Sequence, residues 1–231
     1  MRKFGIIQLL SRTYISQNNC DGETDIKNMK FVDLSVLINE NTPVYPGDPK
    51  TKIQPAGILD KDGYEDHYVC MGTHVGTHVD APRHMVANSK SLDQIPIERF
   101  IGRGIYIKIN NKKFDLEHIK QTDIQEGDIV LFHTGMSDIY YKPEYYDNYP
   151  AITEDIANYL VERKVKMVGV DMCSIDHEPF PAHRILLKNN ILIIENLTNL
   201  GALEDKKFKV YAFPIKLQVD GAPARVIAEL L

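Results

Sequence analysis

Apolar positions along this 231-residue chain change period several times, and each change marks an element. Residues 31–38 mix apolar and polar positions as a short strand does, and 104–109 alternate through Ile105, Ile107 and Ile109. Residues 128–135 are almost continuously apolar and end at Gly135, the pattern of a strand covered on both faces. Residues 116–121 allow one or two helical turns. Thr153 is a candidate N-cap: Glu154 and Asp155 suit the positive end of a helix dipole, and Ile156, Tyr159, Leu160 and Val161 form its apolar stripe. Residues 166–171 predict the next strand. A helix over 181–189 follows, with Pro181 in its first turn, and then Ile191-Leu192-Ile193-Ile194 predicts a strand that runs into Glu195. Strands alternating with helices predict an α/β fold, a mixed and partly parallel twisted sheet with flanking helices.

Two segments fall outside this pattern. Residues 1–28 are polar and rich in Asn, Ser and Thr, and their one apolar cluster, Phe4 to Leu10, is too short and interrupted for a secretory signal. They read as an N-terminal extension, either a disordered tail or, with Arg2, Lys3 and Arg12 and no acid before Asp21, a weak likeness to an organellar transit peptide. Residues 29–231 then form a single domain. Within it, Pro46-Gly47-Asp48-Pro49 makes a stiff loop beside Tyr45, whose ring is either surface packing or one wall of a pocket.

Composition narrows the classes. Hydrophobic residues at 43% and charged residues at 26% are ordinary for a globular protein. A formal charge of −5 argues against nucleic acid or an anionic membrane as the main partner, because neither would be attracted by the net field. The apolar runs are too short to span a bilayer. Cys20, Cys70 and Cys173 are odd in number and lack Cys-x-x-Cys spacing, which suggests a reducing, cytoplasmic setting; an organellar address in 1–28 stays open.

The chemistry concentrates between His74 and His84, where three of the eight histidines fall within His-Val-Gly-Thr-His-Val-Asp-Ala-Pro-Arg-His. Read as extended over 73–79, the segment points His74, Gly76, His78 and Asp80 to one face, with Gly76 clearing the space between the imidazoles. Two imidazoles and a carboxylate suit a metal that accepts nitrogen and oxygen; the alternative is a pair of structural histidines. Glu195 closes a predicted aliphatic strand, where parallel sheets deliver functional groups. His183 and His177 both lie close enough in sequence to join it, and His133 reads as a core or rim residue.

The pattern His-x-Gly-Thr-His-x-Asp-x-Pro-x-His resembles the signature of the cyclase-like metal-dependent hydrolases, the family of bacterial kynurenine formamidase and isatin hydrolase. The likeness continues through Asp33-Leu34-Ser35, residues 42–48 and Glu195-Asn196-Leu197. It implies a swivelling β/β/α fold and two divalent ions, zinc or manganese. His74, His78, Asp80 and Glu195 would surround one ion, and Asp80, His183 and Glu195 the other. Two such ions against two carboxylates leave about +2, which favours hydroxide over water at neutral pH. By the same resemblance His84 is the general acid and base, and Ser174 and Asp176 lie near the site. The Tyr45 loop resembles the family's substrate-covering loop, where a tryptophan is common; this chain has none. The activity implied is amide hydrolysis, in the first place an arylformamidase releasing formate from N-formylkynurenine in tryptophan degradation. The alternatives are hydrolysis of a cyclic amide such as isatin, or metal binding without catalysis, against which His84 counts. A homodimer or homotetramer is implied as well.

Overall fold

A computed structural model describes residues 30–231; the expected extension over 1–28 lies outside the described residues. In chain order these are β1 (Phe31–Asp33), β2 (Lys52–Gly57), α1 (Leu59–Asp62), β3 (Asp66–Cys70), β4 (His78–Asp80), β5 (Ile101–Lys108) and α2 (Leu116–Lys120). There follow β6 (Ile129–His133), α3 (Glu154–Glu162), β7 (Met167–Val170), α4 (Pro181–Lys188), β8 (Leu192–Glu195), β9 (Phe208–Pro214) and β10 (Gly221–Leu230).

Seven strands form a closed ring in the order β10-β4-β8-β7-β6-β5-β9, because β10 pairs with β4 through residues 221–223 and with β9 through 224–230. β1 rides on the far end of β10. The β5–β6, β6–β7 and β7–β8 pairs are parallel, and the remaining pairs are antiparallel, so the sheet is mixed as expected. The architecture is a mixed α/β fold with a barrel-like sheet and few helices. The sequence reading placed no strand in the last two segments. β9 does carry a period-two signal, with Phe208, Val210 and Ala212 turned to one side, but nothing local names its partners.

The alternation within each strand separates two cores. Ile129, Leu131, Met167, Leu192, Ile194, Val210 and Val226 fill the ring. Val130, Phe132, Val168, Val170 and Ile193 face outwards, where Ile119 of α2, Ile156 and Leu160 of α3, and Leu186 of α4 cover them. Burial on both faces is why β6, β7 and β8 read as continuous apolar runs. Each fully buried aliphatic side chain there contributes roughly 1.5–3 kcal/mol. α3 starts where Thr153 predicted, although the Thr153 hydroxyl bonds the Asp155 carboxylate rather than a backbone amide. The strand expected over 31–38 is shorter, because the chain turns away after Asp33 and only an isolated bridge at Ser35 continues it.

Inside the ring, a Cβ on Gly104 would lie 2.0 Å from the Phe208 ring, so the two strands close only around a glycine. Gly104→Ala is therefore expected to cost about 1–3 kcal/mol as an overpacked core does, read as a lower urea midpoint at unchanged slope.

One element stands apart. β2 and β3 form a two-stranded sheet of their own, every residue of β3 is exposed, and Leu59, Tyr64, Tyr68 and Val69 are exposed around it. Among the described residues, no helix is long and apolar enough to cross a membrane.

Candidate metal centre

The two halves of the predicted site meet because β4 pairs with β8. In that antiparallel register His78 stands opposite Glu195, and Asp80 opposite Ile193. Val79 and Ile194 point into the ring, so His78, Asp80 and Glu195 point outwards towards α4. A slip of one residue would bury Glu195 in the apolar ring, and the filled interior therefore specifies the site's geometry.

The extended reading of 73–79 is not what the chain adopts. Residues 73–77 form turns and bends, and the strand begins only at His78. Gly76 has φ +61°, a left-handed conformation that favours glycine, and a Cβ there would meet Ile38 Cγ1 at 2.7 Å rather than an imidazole. The turn is stitched to the end of β8: the Thr77 hydroxyl donates to the Asn196 carbonyl at 2.6 Å, and the Asn196 amide donates to the Gly76 carbonyl at 3.0 Å. His74 and His78 still converge, their rings 5.0 Å apart and nearly perpendicular, through the turn rather than through strand period.

His78 and His183 each have Nδ1 held by a partner outside the cluster, whereas both nitrogens of His74 face carboxylates. His78 Nδ1 donates to the Gly76 carbonyl at 2.9 Å, and its Nε2 lies 3.4 Å from both Asp80 Oδ1 and Glu195 Oε2. His183, in the first turn of α4, faces Asp176 Oδ1 with Nδ1 at 2.5 Å, while Asp176 Oδ2 accepts the backbone N–H groups of Ala182 and His183. Asp176 thus caps α4 and turns His183 Nε2 towards Glu195 Oε1 at 3.3 Å and Asp80 Oδ2 at 3.9 Å. His74 presents Nδ1 to Asp80 Oδ1 at 2.7 Å and Nε2 to Asp220 Oδ2 at 2.9 Å. Asp220 also receives His84 Nδ1 at 3.1 Å.

Deep burial would ordinarily neutralise these groups, and the charges around them oppose it. Burial works against a charged imidazole at His74, yet Asp80 and Asp220 push its pKa up to about 11. Burial likewise opposes charge on His183, and Asp176 with Glu195 push it up to about 10. Burial favours a protonated Asp80, but His74 foremost, then His78 and His84, hold it well below the usual carboxylate range. Glu195 is held down in the same way by His183 and His78. The cluster as a whole attracts positive charge.

A cation fits these residues on a direct observation. His78 Nε2 and both carboxylate oxygens of Asp80 are buried, and none makes a well-formed hydrogen bond. Orphaned buried acceptors are costly unless something else satisfies them. Ligand atoms of His74, His78 and Asp80 lie within 4.8 Å of one another, as do those of Asp80, His84 and His183, and those of His74, His84 and Asp220.

Of the other candidates, His177 is turned away: its Nε2 faces the Tyr149 carbonyl at 3.2 Å and its ring stacks on Tyr149. His133 pairs with the Tyr106 hydroxyl at 2.7 Å. Cys173 is buried with its Sγ against the Tyr145 carbonyl, and burial pushes its thiol above the usual value. Tyr45 is 37% exposed and meets Tyr146 edge to face. Tyr149, which sequence reasoning did not single out, connects it to the centre. Its hydroxyl donates to the Asp176 carbonyl at 3.2 Å, and burial, with the Tyr45 hydroxyl nearby, holds its phenol well above the usual pKa. Asp220 was also missed; the signal available was an aspartate immediately before a glycine-started strand.

Known proteins agree with this architecture. The Cyclase family, described as "Putative cyclase", matches residues 32–177. The kynurenine formamidase of Salinibacter ruber is 30% identical over 86% of this chain and 97% of its own length. An isatin hydrolase solved with the product analogue thioisatinate superposes with a TM-score of 0.80 at 25% identity, over 87% of this chain and 92% of that one. A structure described as a potential metal-dependent hydrolase with cyclase activity gives 0.71 at 32% identity, over 86% and 96%. The chain belongs to the cyclase-like family of metal-dependent hydrolases.

Proposed function

We propose that this hydrolase cleaves the formamide bond of an N-formyl arylamine, with N-formylkynurenine as substrate and kynurenine and formate as products. The observation that carries the reading is the division of each buried carboxylate between two sets of imidazoles. Asp80 offers Oδ1 to His74 and His78 and Oδ2 to His183; Glu195 offers Oε2 to His78 and Oε1 to His183. That arrangement supports a site for two ions, zinc or manganese: His74, His78, Asp80 and Glu195 would hold one, and His183 with the same two carboxylates would hold the other. Bound there, divalent ions supply Lewis acidity that lowers the pKa of water and polarises a carbonyl oxygen. The chain's own residues do the rest. His84, at the rim and 23% exposed, moves a proton to the amine nitrogen as the C–N bond breaks. Tyr45, which is 37% exposed, offers the aryl ring an aromatic edge and a hydroxyl.

A cyclic amide such as isatin is the second reading, supported by the likeness to isatin hydrolase, since attack on a polarised carbonyl serves both. The same proposal includes the swivelling β/β/α type, a single domain over 29–231, a cytoplasmic location, and a homodimer or homotetramer. The exposed apolar β2–β3 hairpin supports assembly, because a two-stranded sheet is marginal in water unless something covers it. The deciding experiment assays zinc- and manganese-loaded protein with N-formylkynurenine and isatin side by side. Formate release with the first supports the arylformamidase; ring opening alone moves the assignment to the cyclic amide; turnover of neither, with either metal, leaves a metal-binding protein without this chemistry.

Metal loading has its own signature. With free ion at a hundred times its Kd, the native state gains about 2.7 kcal/mol, so a chelator lowers the Tm and reloading restores it. Loading in weak buffer also releases protons, because imidazole nitrogens must be neutral to ligate and the carboxylates raise the pKa of His74 and His183. A Tm indifferent to both treatments would remove the metal centre.

A further inference from the structure

We propose that Asp220 is the positioning residue of His84: its carboxylate accepts a hydrogen bond from the His84 Nδ1–H and thereby presents Nε2 to the reacting amide. This inference rests on the hydrolytic reading above and on His84 as its proton carrier.

Asp220 Oδ2 lies 3.1 Å from His84 Nδ1 and 2.9 Å from His74 Nε2, and its Oδ1 accepts the Thr73 hydroxyl at 3.3 Å. Backbone bonds also hold this segment in place. The Ala81 N–H donates to the Asp220 carbonyl at 2.8 Å, and the His84 N–H donates to the Ala81 carbonyl at 2.9 Å, so Asp220 and His84 hang from one short stretch of chain. Gly221 makes the approach possible: a Cβ there would sit 2.7 Å from His74 Cε1 and 3.0 Å from the Val79 carbonyl. The His74 and His84 rings lie 4.1 Å apart, so the carboxylate spans a metal-side histidine and the proton-carrying one.

The chemistry follows from the imidazole's two nitrogens. A neutral ring has one N–H, and a carboxylate at Nδ1 fixes it there, leaving a lone pair on Nε2 that can take and return a proton. Among the described residues Nε2 of His84 has no hydrogen-bond partner. Without Asp220 the ring can rotate and exchange tautomers, and only part of the population faces the amide correctly. The carboxylate is 37% exposed, so the expected loss is that of an outer partner, roughly 10–100-fold, and not the larger loss of a buried triad acid.

The test uses the metal-loaded full chain. Loaded at saturating metal, because Asp220 also bonds His74, Asp220→Ala should lower kcat about 10–100-fold with KM within twofold and metal content unchanged. Combined with His84→Ala, it should add nothing to the loss of His84→Ala alone, since a positioning residue has nothing left to position. In zinc-loaded protein labelled at histidine nitrogen, the His84 resonances should leave the Nδ1–H tautomer pattern. Asp220→Asn, of the same shape, should move kcat in the same direction and be equally non-additive, and it serves if the alanine variant misfolds. Loss of metal in both variants, an effect that adds to His84→Ala, or an unchanged His84 tautomer would each overturn the role. Full turnover in His84→Ala itself would instead overturn the mechanism on which the inference stands.

Discussion

Asp80→Ala is expected to fold and yet to hold metal at neither position. Asp80 is fully buried, offers one oxygen to His74 and His78 and the other to His183, and apart from its ion pair with His74 has no well-formed hydrogen bond that would give it another purpose. Removing an outer-shell partner weakens metal affinity about 10–100-fold, and removing a carboxylate shared by both positions should exceed that. Because the Lewis acid's contribution to catalysis is several kcal/mol, at about 1.4 kcal/mol per decade turnover should fall by roughly three orders of magnitude or more. Elemental analysis after loading and desalting reads the first effect, with circular dichroism to confirm the fold. One equivalent of metal retained would show that Asp80 serves a single position, and two would remove it from the centre.

His84→Ala should behave in the opposite way, keeping its metal while losing about 10²–10⁴-fold in turnover. An imidazole nitrogen of His84 lies within 4.8 Å of ligand atoms of Asp80 and His183, so distance alone also offers it as a ligand. Metal content separates the two roles. The leaving group provides a second check: if His84 protonates the departing nitrogen, an anilide with an electron-withdrawing substituent needs that proton less, and the variant should be least impaired on it. Uniform loss across leaving groups would assign His84 elsewhere.

The strands β5 to β8 and the helices α2 to α4 were legible because their signals are short-range. Continuous apolar runs mark strands buried on both faces, Pro181 announces a helix start through its fixed φ, and Thr153 marks another although its hydroxyl caps no backbone amide. The donor set was equally legible, since the residue types a divalent ion accepts are few and five of them crowd two short stretches. The shape of 73–77 was not, because β-branched Val75 and Thr77 favour an extended chain locally while contacts with Val36 and Asn196 hold it as a turn.

Sequence alone thus determined which side chains can do chemistry here and which elements bear most of them: ligand preference and hydrophobic period are properties of neighbouring residues. Only the folded chain decided that His78 faces Glu195, that Asp176 turns His183, and that Asp220 reaches His74 and His84. The first and last of these join distant segments, chosen by how β10 and β8 flank β4 and by which strand faces must be apolar, whereas Asp176 and His183 meet where their shared loop enters α4. Pairing across such separations follows from burying the interior as a whole, and no local pattern encodes it.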